Sequence, residues 1–390
     1  MNTETLQKLS SQLTTPAYIF DFDEFEKRSK LVKKYFTDSV GMCFSIKANP
    51  FLLKHLPSCF DHIEVCSPGE LTVCEKTHMD MKKIIFSGVN KTLADVQRAL
   101  DDNVGVFTAE SMLHVRYIDE EARKRGKRVP LLLRLTAGSQ FGMSEEEIFD
   151  IIEHRDDYRG FEIIGLHFFS GTQKRKAKVI AKELDYIDDF CQRVKEQTGF
   201  AIDRIEYGTG LAVDYFSLDA DESEEERLKE VSKLLVAFSE KYRLTVEMGR
   251  FFAAPCGYYL TRVMDVKTNK GINYAIVDGG LNQLKYDGQL QGMQIPQIIH
   301  LSSASENPEK EKWTLCGSLC TTADVIARDA EFSSLSIGDI LVFCRTGAYS
   351  VSEGMALFLS RELPMVSLYS EERGLEIVRE IIRADVFNTP

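Results

Sequence analysis

The chain has 390 residues, 44% hydrophobic and 28% charged, which excludes an intrinsically disordered protein and gives, at ordinary domain sizes, about two domains. The formal net charge of −12 makes nucleic acid and anionic membrane poor partners; no uninterrupted apolar run reaches the length of a membrane span, and Met1-Asn2-Thr3-Glu4 carries no signal-peptide pattern. The nine cysteines lie in apolar contexts without metal-type pairing, so reduced thiols, no metal site and a cytoplasmic location are expected.

Residues 16–21 read as a short strand, and Phe25, Leu31, Val32 and Phe36 then recur at roughly helical spacing. Candidate strands follow at 42–47, 62–66, 83–86, 104–108, 130–135, 162–168, 203–207 and 244–247, with helical stretches between them. One helix carries Val179, Ile180, Leu184, Ile187, Cys191 and Val194 on a face, another Leu228, Val231, Leu235 and Phe238. The acidic run 219–226 reads as a solvated loop and helix start. Short apolar strands alternating with amphipathic helices fit an α/β fold, a (β/α)8 TIM-type barrel, with an open doubly wound sheet as the rival.

After about residue 256 the rhythm changes. Strands are expected at 258–266, 274–278, 313–316 and 339–343, separated by turns, with little helix until the C-terminal segment. That pattern fits an all-β second domain, a small barrel or a sandwich. Residues 303–312 are polar enough for a mobile loop, and no internal repeat is visible. The expected division is a barrel over residues 25–256 and a β domain of residues 1–24 with 257–390.

The chemistry is concentrated where barrel strands end. Lys47 closes the apolar run Gly41-Met42-Cys43-Phe44-Ser45-Ile46 just before Asn49-Pro50. Burial disfavours an ammonium, so a lysine in such a place can become a nucleophile; it can equally snorkel to water. His167-Phe168-Phe169-Ser170-Gly171-Thr172, Gly208-Thr209-Gly210 and Glu247-Met248-Gly249-Arg250 end later strands. The glycine turn can bring backbone N–H groups to a phosphate, and Gly249-Arg250 adds an amide and a cation. Separately, these are an ordinary turn and an ion pair. Together they supply the amine, anion cradle and carboxylate that pyridoxal phosphate requires.

With these motifs the chain resembles the fold-type-III pyridoxal-phosphate decarboxylases, which include diaminopimelate, ornithine and arginine decarboxylases. The resemblance covers about residues 15–362 and rests on the ordered series Ser45-Ile46-Lys47-Ala48-Asn49-Pro50, Glu64-Val65-Cys66-Ser67 with Gly69-Glu70-Leu71, and Phe86-Ser87-Gly88 with Asn90-Lys91. Phe141-Gly142, Gly165-Leu166-His167, Gly208-Thr209-Gly210 and Val246-Glu247-Met248-Gly249-Arg250 continue it. Val277-Asp278-Gly279-Gly280, Gly317-Ser318-Leu319-Cys320 and Gly347-Ala348-Tyr349 complete it. It implies an alanine-racemase-like two-domain fold. Lys47 would carry the cofactor as an aldimine and Glu247 would pair with the pyridinium nitrogen. Glu64, Phe169, Thr172, Gly208, Thr209, Gly210, Gly249, Arg250 and Tyr349 would complete the cofactor site. Cys320 would reprotonate the α-carbon from the partner subunit of a homodimer with shared active sites.

The departures from the family pattern are specific. Phe169 stands at the ring-stacking histidine position, Thr172 at a phosphate-binding serine, Met248 at a proline, and the loop between Leu135 and Phe141 is short. Where diaminopimelate enzymes follow the cysteine with glutamate and polyamine enzymes with aspartate, this chain has Thr321, and no carboxylate comes before Asp324. Lys285-Tyr286 occupies the region of an expected arginine, so Tyr286, Thr321 and Asp324 are the candidate substrate contacts. Cys320-Thr321 with Gly347-Ala348-Tyr349 resembles a branch from siderophore and antibiotic pathways. Its members decarboxylate citryl-diaminopropionate or a glutamyl group on an acyl-carrier protein. Gly171-Thr172-Gln173 and Phe169 are closest to the carrier-protein type. A diaminopimelate decarboxylase, an amino-acid racemase and a non-catalytic homologue are the alternatives.

Overall fold

The computed structural model describes residues 1–302 and 309–390, and its chain divides into two units. The first comprises Ser29–Ala212 and Glu222–Gly249; the second comprises Met1–Arg28, Val213–Asp221 and Arg250–Pro390.

The first strand of the chain, β1 (Ala17–Asp21), belongs to the second unit. The first unit is a closed barrel of β2 (Val40–Ser45), β3 (His62–Val65), β4 (Ile84–Phe86), β5 (Val106–Ala109), β6 (Val129–Leu135), β7 (Phe161–Phe169), β8 (Arg204–Gly208) and β9 (Arg243–Met248). Each pairs in parallel with its neighbour in sequence, and β2 pairs with β9 to close the ring. Nearly every strand position is buried, as expected for parallel strands covered on both faces. The open-sheet alternative is excluded by that closure.

The register aligns the functional ends. Ser45 lies opposite Glu64, and Gly208 lies opposite both Phe169 and Glu247. Strand β2 stops two residues earlier than expected, and Lys47 stands in the 3-10 turn Ile46–Ala48. Pro50 disfavours a helical conformation at Asn49, which is extended and accepts from the Phe51 amide at 3.1 Å. The chain therefore leaves the barrel through two short turns, with Lys47 held in the first.

Several helices that follow the strands begin with side-chain caps. Leu93–Asp101 and Glu145–Glu153 have full capping boxes from Thr92 with Asp95 and from Ser144 with Glu147. In Ala177–Thr198, Ile180, Leu184, Ile187, Cys191 and Val194 are buried at three- and four-residue spacing. Val179 is exposed, because it sits one residue ahead of that series and about 100° around the helix from it. Phe190 takes the place assigned to it. The acidic run does start a helix, Ala220–Ser239, but Glu224 is fully buried rather than solvated.

Among the described residues the second unit is a nine-stranded mixed sheet, its two parts joined through β10. Its remaining strands are β10 (Gly257–Asn269), β11 (Ile272–Val277), β12 (Ile298–Leu301), β13 (Glu311–Cys316), β14 (Val325–Phe332), β15 (Ile340–Cys344), β16 (Met365–Ser370) and β17 (Gly374–Arg379). The main path runs β14-β13-β11-β10-β1-β16-β17, with β15 pairing β10 and β12. Strand β1 enters parallel to β16 and antiparallel to β10. The first half of β10 serves β1 and β15, and after a bulge at 263–265 its second half serves β11. The eight-residue helix Thr3–Ser10 is too short to persist alone, so its position rests on burying Leu6 and Leu9 against Ile19, Leu260 and Val342, roughly 1.5–3 kcal/mol per side chain. Of the polar stretch expected to be a loop, residues 303–308 lie outside the described residues, and Glu311 and Lys312 open β13.

Candidate active site

At the C-terminal ends of β2, β3, β7 and β9 the barrel unit gathers four functional side chains. Lys47 Nζ donates to Glu64 Oε2 at 2.5 Å and to Glu247 Oε1 at 3.3 Å. The lysine side chain is 38% exposed and the two acids 3% and 7%, so the amine is reachable while its partners are not. Glu247 also accepts from Ser45 Oγ at 3.1 Å, and its other oxygen lies 3.0 Å from His167 Nε2. Burial alone would raise Glu247, but Lys47, His167 and Arg134 together hold it well below the usual carboxylate range. These neighbours favour its anionic form.

Cys66 adds a thiol to this group. Its Sγ donates to Glu64 Oε1 at 2.8 Å, and Lys47 Nζ lies 3.6 Å from the same sulfur. Burial, then the charge of Glu64, pushes the thiol well above its normal range, so Cys66 is a protonated hydrogen-bond donor rather than a nucleophile. Deeper in the barrel, Glu206 of β8 is buried, and neither oxygen has a hydrogen-bond partner among the described residues. Burial, then the charge of Glu247, lifts it to about 8 against a weaker pull from Arg204. His167, Ser45, Cys66 and Glu206 were assigned no role from sequence. Inward-facing polar residues inside apolar strands were the available signal.

The glycine turn follows β8. Gly210 has φ +57°, and a Cβ there would fall 1.9 Å from Gly171 O and 3.2 Å from Thr172 Cα. Gly208 packs against the Phe169 ring, and Thr209 is buried between these glycines. The Lys174 amide donates to Gly210 O at 2.8 Å, tying this turn to the segment after β7. Beside β9, Gly249 approaches Ser45 O and Ala48 so closely that a Cβ would be 2.8 and 2.7 Å from them. Two backbone turns are thus kept free of side chains, one against the segment after β7 and the other against the lysine turn.

The second unit holds the other predicted residues. Arg250 donates to Tyr215 Oη at 2.9 Å and lies 4.5 Å from the centre of the Tyr349 ring, so these two cofactor candidates are adjacent. Tyr286 is buried and donates to Cys344 O at 2.6 Å. Asp324 is buried, with Oδ1 accepting from Leu281 N and Oδ2 from Leu319 N, both at 2.8 Å. Both side chains hydrogen-bond within their own unit. Cys320 is exposed, and the partly exposed Thr321 follows it in the same loop.

Residues 22–254 match the family model described as pyridoxal-dependent decarboxylase, pyridoxal binding domain. The chain belongs to this family. Among curated relatives it is 26% identical to L-glutamyl-[BtrI acyl-carrier protein] decarboxylase of Niallia circulans, over 97% of this chain and 94% of that one. It is 28% identical to 2-[(L-alanin-3-ylcarbamoyl)methyl]-2-hydroxybutanedioate decarboxylase of Staphylococcus aureus, over 89% and 92%. The solved diaminopimelate decarboxylase of M. jannaschii in complex with L-lysine superposes with a TM-score of 0.85 at 22% identity, over 96% of this chain and 92% of that one. That superposition shows the same fold.

Family membership makes the protein a carboxy-lyase with pyridoxal 5′-phosphate as cofactor. The residues present fit that group. Lys47 offers a reachable amine, Glu247 a carboxylate whose neighbours favour the anion, and Gly210 and Gly249 backbone turns that a Cβ would obstruct.

Proposed function

We propose that this pyridoxal-dependent decarboxylase removes the α-carboxylate of an amino-acid conjugate or acidic amino acid in the cytoplasm. Lys47, Glu64, Phe169, Thr172, Gly208, Thr209, Gly210, Glu247, Gly249, Arg250 and Tyr349 would hold the cofactor. The observation that carries the reading is the Lys47 amine set between Glu64 and an anionic Glu247. When bound, pyridoxal phosphate would supply an electron sink for the pair left on the α-carbon by decarboxylation. Glu64 is positioned to accept the proton that Lys47 must lose to act as a nucleophile. Ser45 and His167 orient Glu247, which keeps its charge toward a protonated ring nitrogen. Cys320 then delivers its Sγ proton to the α-carbon, forming the C–H bond that replaces the broken C–C bond.

We further infer a homodimer in which Cys320 reaches the partner's barrel. The substrate reading rests on the Cys320 loop. With Asp324 committed to two amides, Thr321 offers a hydroxyl and no carboxylate for a distal ammonium. A buried unpaired ammonium is costly, so the distal group is expected to be neutral or acidic. The glutamyl–carrier conjugate named for the N. circulans relative has that chemistry. Nine free thiols support a reducing compartment.

Purified protein is expected to show the visible absorbance of lysine-bound cofactor, and Lys47→Ala to lose it. Carbon dioxide release should be scored on free ornithine, lysine and diaminopimelate beside carrier-bound glutamate and a citryl conjugate. Weak turnover of the free diamino acids is expected. Efficient turnover of diaminopimelate, in the range of roughly 1 to 10³ per second, would make this an ordinary diaminopimelate decarboxylase with a tolerated threonine. Epimerisation without carbon dioxide would make it a racemase, and cofactor binding without turnover a non-catalytic homologue.

A further inference from the structure

We propose that Asp324 is the positioning residue of the Cys320 loop, acting on the reaction only through that thiol; this rests on Cys320 being the proton donor. The loop leaves β13 at Gly317 and returns at Val325, and Cys320 is exposed in it, as is Thr322. Asp324 closes it. Oδ2 accepts from Leu319 N, one residue before the cysteine, and the Asp324 carbonyl accepts from Gly317 N at 3.0 Å. Oδ1 reaches out of the loop to Leu281 N, in the turn that follows β11. One carboxylate therefore ties the base of the loop to a neighbouring turn.

Two glycines make room for this clamp. A Cβ on Gly317 would fall 2.2 Å from Asp324 Oδ2, and one on Gly280 2.6 Å from the same oxygen. Ser318 N to Gly279 O, at 2.7 Å, and Arg361 Nη2 to Ser318 O, at 2.9 Å, brace the same strand end. Neither contact holds the segment on the cysteine's side of Leu319. Charge-assisted bonds from a buried carboxylate are the strongest ties available there, and Asp324 makes two. The residue nearest in sequence that could have met a diamine instead sets where the thiol stands.

The test uses holoenzyme. Asp324→Asn leaves one acceptor and turns an amide N–H₂ against a backbone N–H; Gly317→Ala pushes on the same carboxylate from the other side. Both are expected to lower kcat about tenfold or more, a fraction of what a general acid contributes, with KM and the cofactor absorbance unchanged. Both should also change the rate at which iodoacetamide labels Cys320, followed on its own peptide by mass spectrometry. In a Cys320→Ala background, Asp324→Asn should cost no further activity. Equal labelling rates in variant and parent, or full additivity with Cys320→Ala, would overturn the proposal. So would loss of the whole fold in both variants, since a residue the entire sheet needs is not the positioner of one loop. If Cys320→Ala alone leaves kcat intact, the assignment of the proton donor fails, while the labelling rate still decides whether Asp324 holds the loop.

Discussion

Glu206 is a buried carboxylic acid whose nearest cation, Arg204, stands 3.9 Å away. Its folded-state value of about 8 stands above an unfolded value near 4.5, so between those limits the native protein holds a proton that the unfolded chain has released. The native state is therefore favoured most at or below pH 4.5, as far as this residue is concerned, and loses that advantage as pH rises towards 8. A gap of that width corresponds to an effect on the order of several kcal/mol. Glu206→Gln keeps shape and neutrality while removing the ionisation. Melting curves at pH 5.5, 7 and 8.5 should show the variant gaining on the parent as pH rises. Parallel curves would mean that Glu206 is ionised, or solvated, in the folded protein. The same trend bears on chemistry, because an ionised Glu206 adds a third negative charge beside Glu247 and Glu64.

At the scale of elements, barrel strands were readable because parallel strands covered on both faces are apolar almost throughout. Lys47 and Glu247 were readable because they interrupt such runs at the strand ends. The roles of His167, Ser45 and Cys66 were not, since each depends on a partner across the barrel, Glu247 for the first two and Glu64 with Lys47 for the third. Strands β12, β14, β16 and β17 escaped for a related reason. Val325–Phe332 carries Arg328, Asp329 and Glu331 on exposed positions, and Gly374–Arg379 is half-exposed along its length, so neither has the apolar continuity of a barrel strand. The hydrogen bonds of Tyr286 and Asp324 were not legible either, because proximity in sequence to a motif does not report where a side chain's own hydrogen bonds go.

The glycine turn after β8 gives an element-scale prediction. Gly210 combines a left-handed backbone with a Cβ direction that runs into Gly171 O. Gly210→Ala faces the left-handed penalty of roughly 1–2 kcal/mol, and the contact must also be relieved by moving one turn away from the other. The expected result is a cofactor dissociation constant raised at least tenfold, measured by absorbance titration, with the melting temperature of the cofactor-free protein lowered by about a few degrees. An unaltered affinity would show that the turn does not approach the phosphate.

For the whole molecule, the candidate residues fall into two groups by unit, and the proposal depends on bringing them together. Lys47, Glu64 and Glu247 lie in the barrel unit; Arg250, Tyr349 and Cys320 lie in the sheet unit. Arg250 directly follows Gly249 in the chain, so its attachment to the barrel site is covalent, whereas Cys320 has no such tether. If the thiol serves the barrel of a second copy, each inactive single variant retains half of a site. Lys47→Ala subunits keep a working Cys320, and Cys320→Ala subunits keep a working barrel. Mixing the two under conditions where subunit exchange is verified by native mass spectrometry should restore activity, because statistical pairing places one intact barrel opposite one intact thiol in half of the dimers. That arithmetic sets a ceiling of about a quarter of the parent's activity per subunit. Cofactor absorbance should follow the Lys47-bearing subunits alone. Verified exchange with no recovered carbon dioxide release would place Cys320 with its own chain's barrel and remove the shared site.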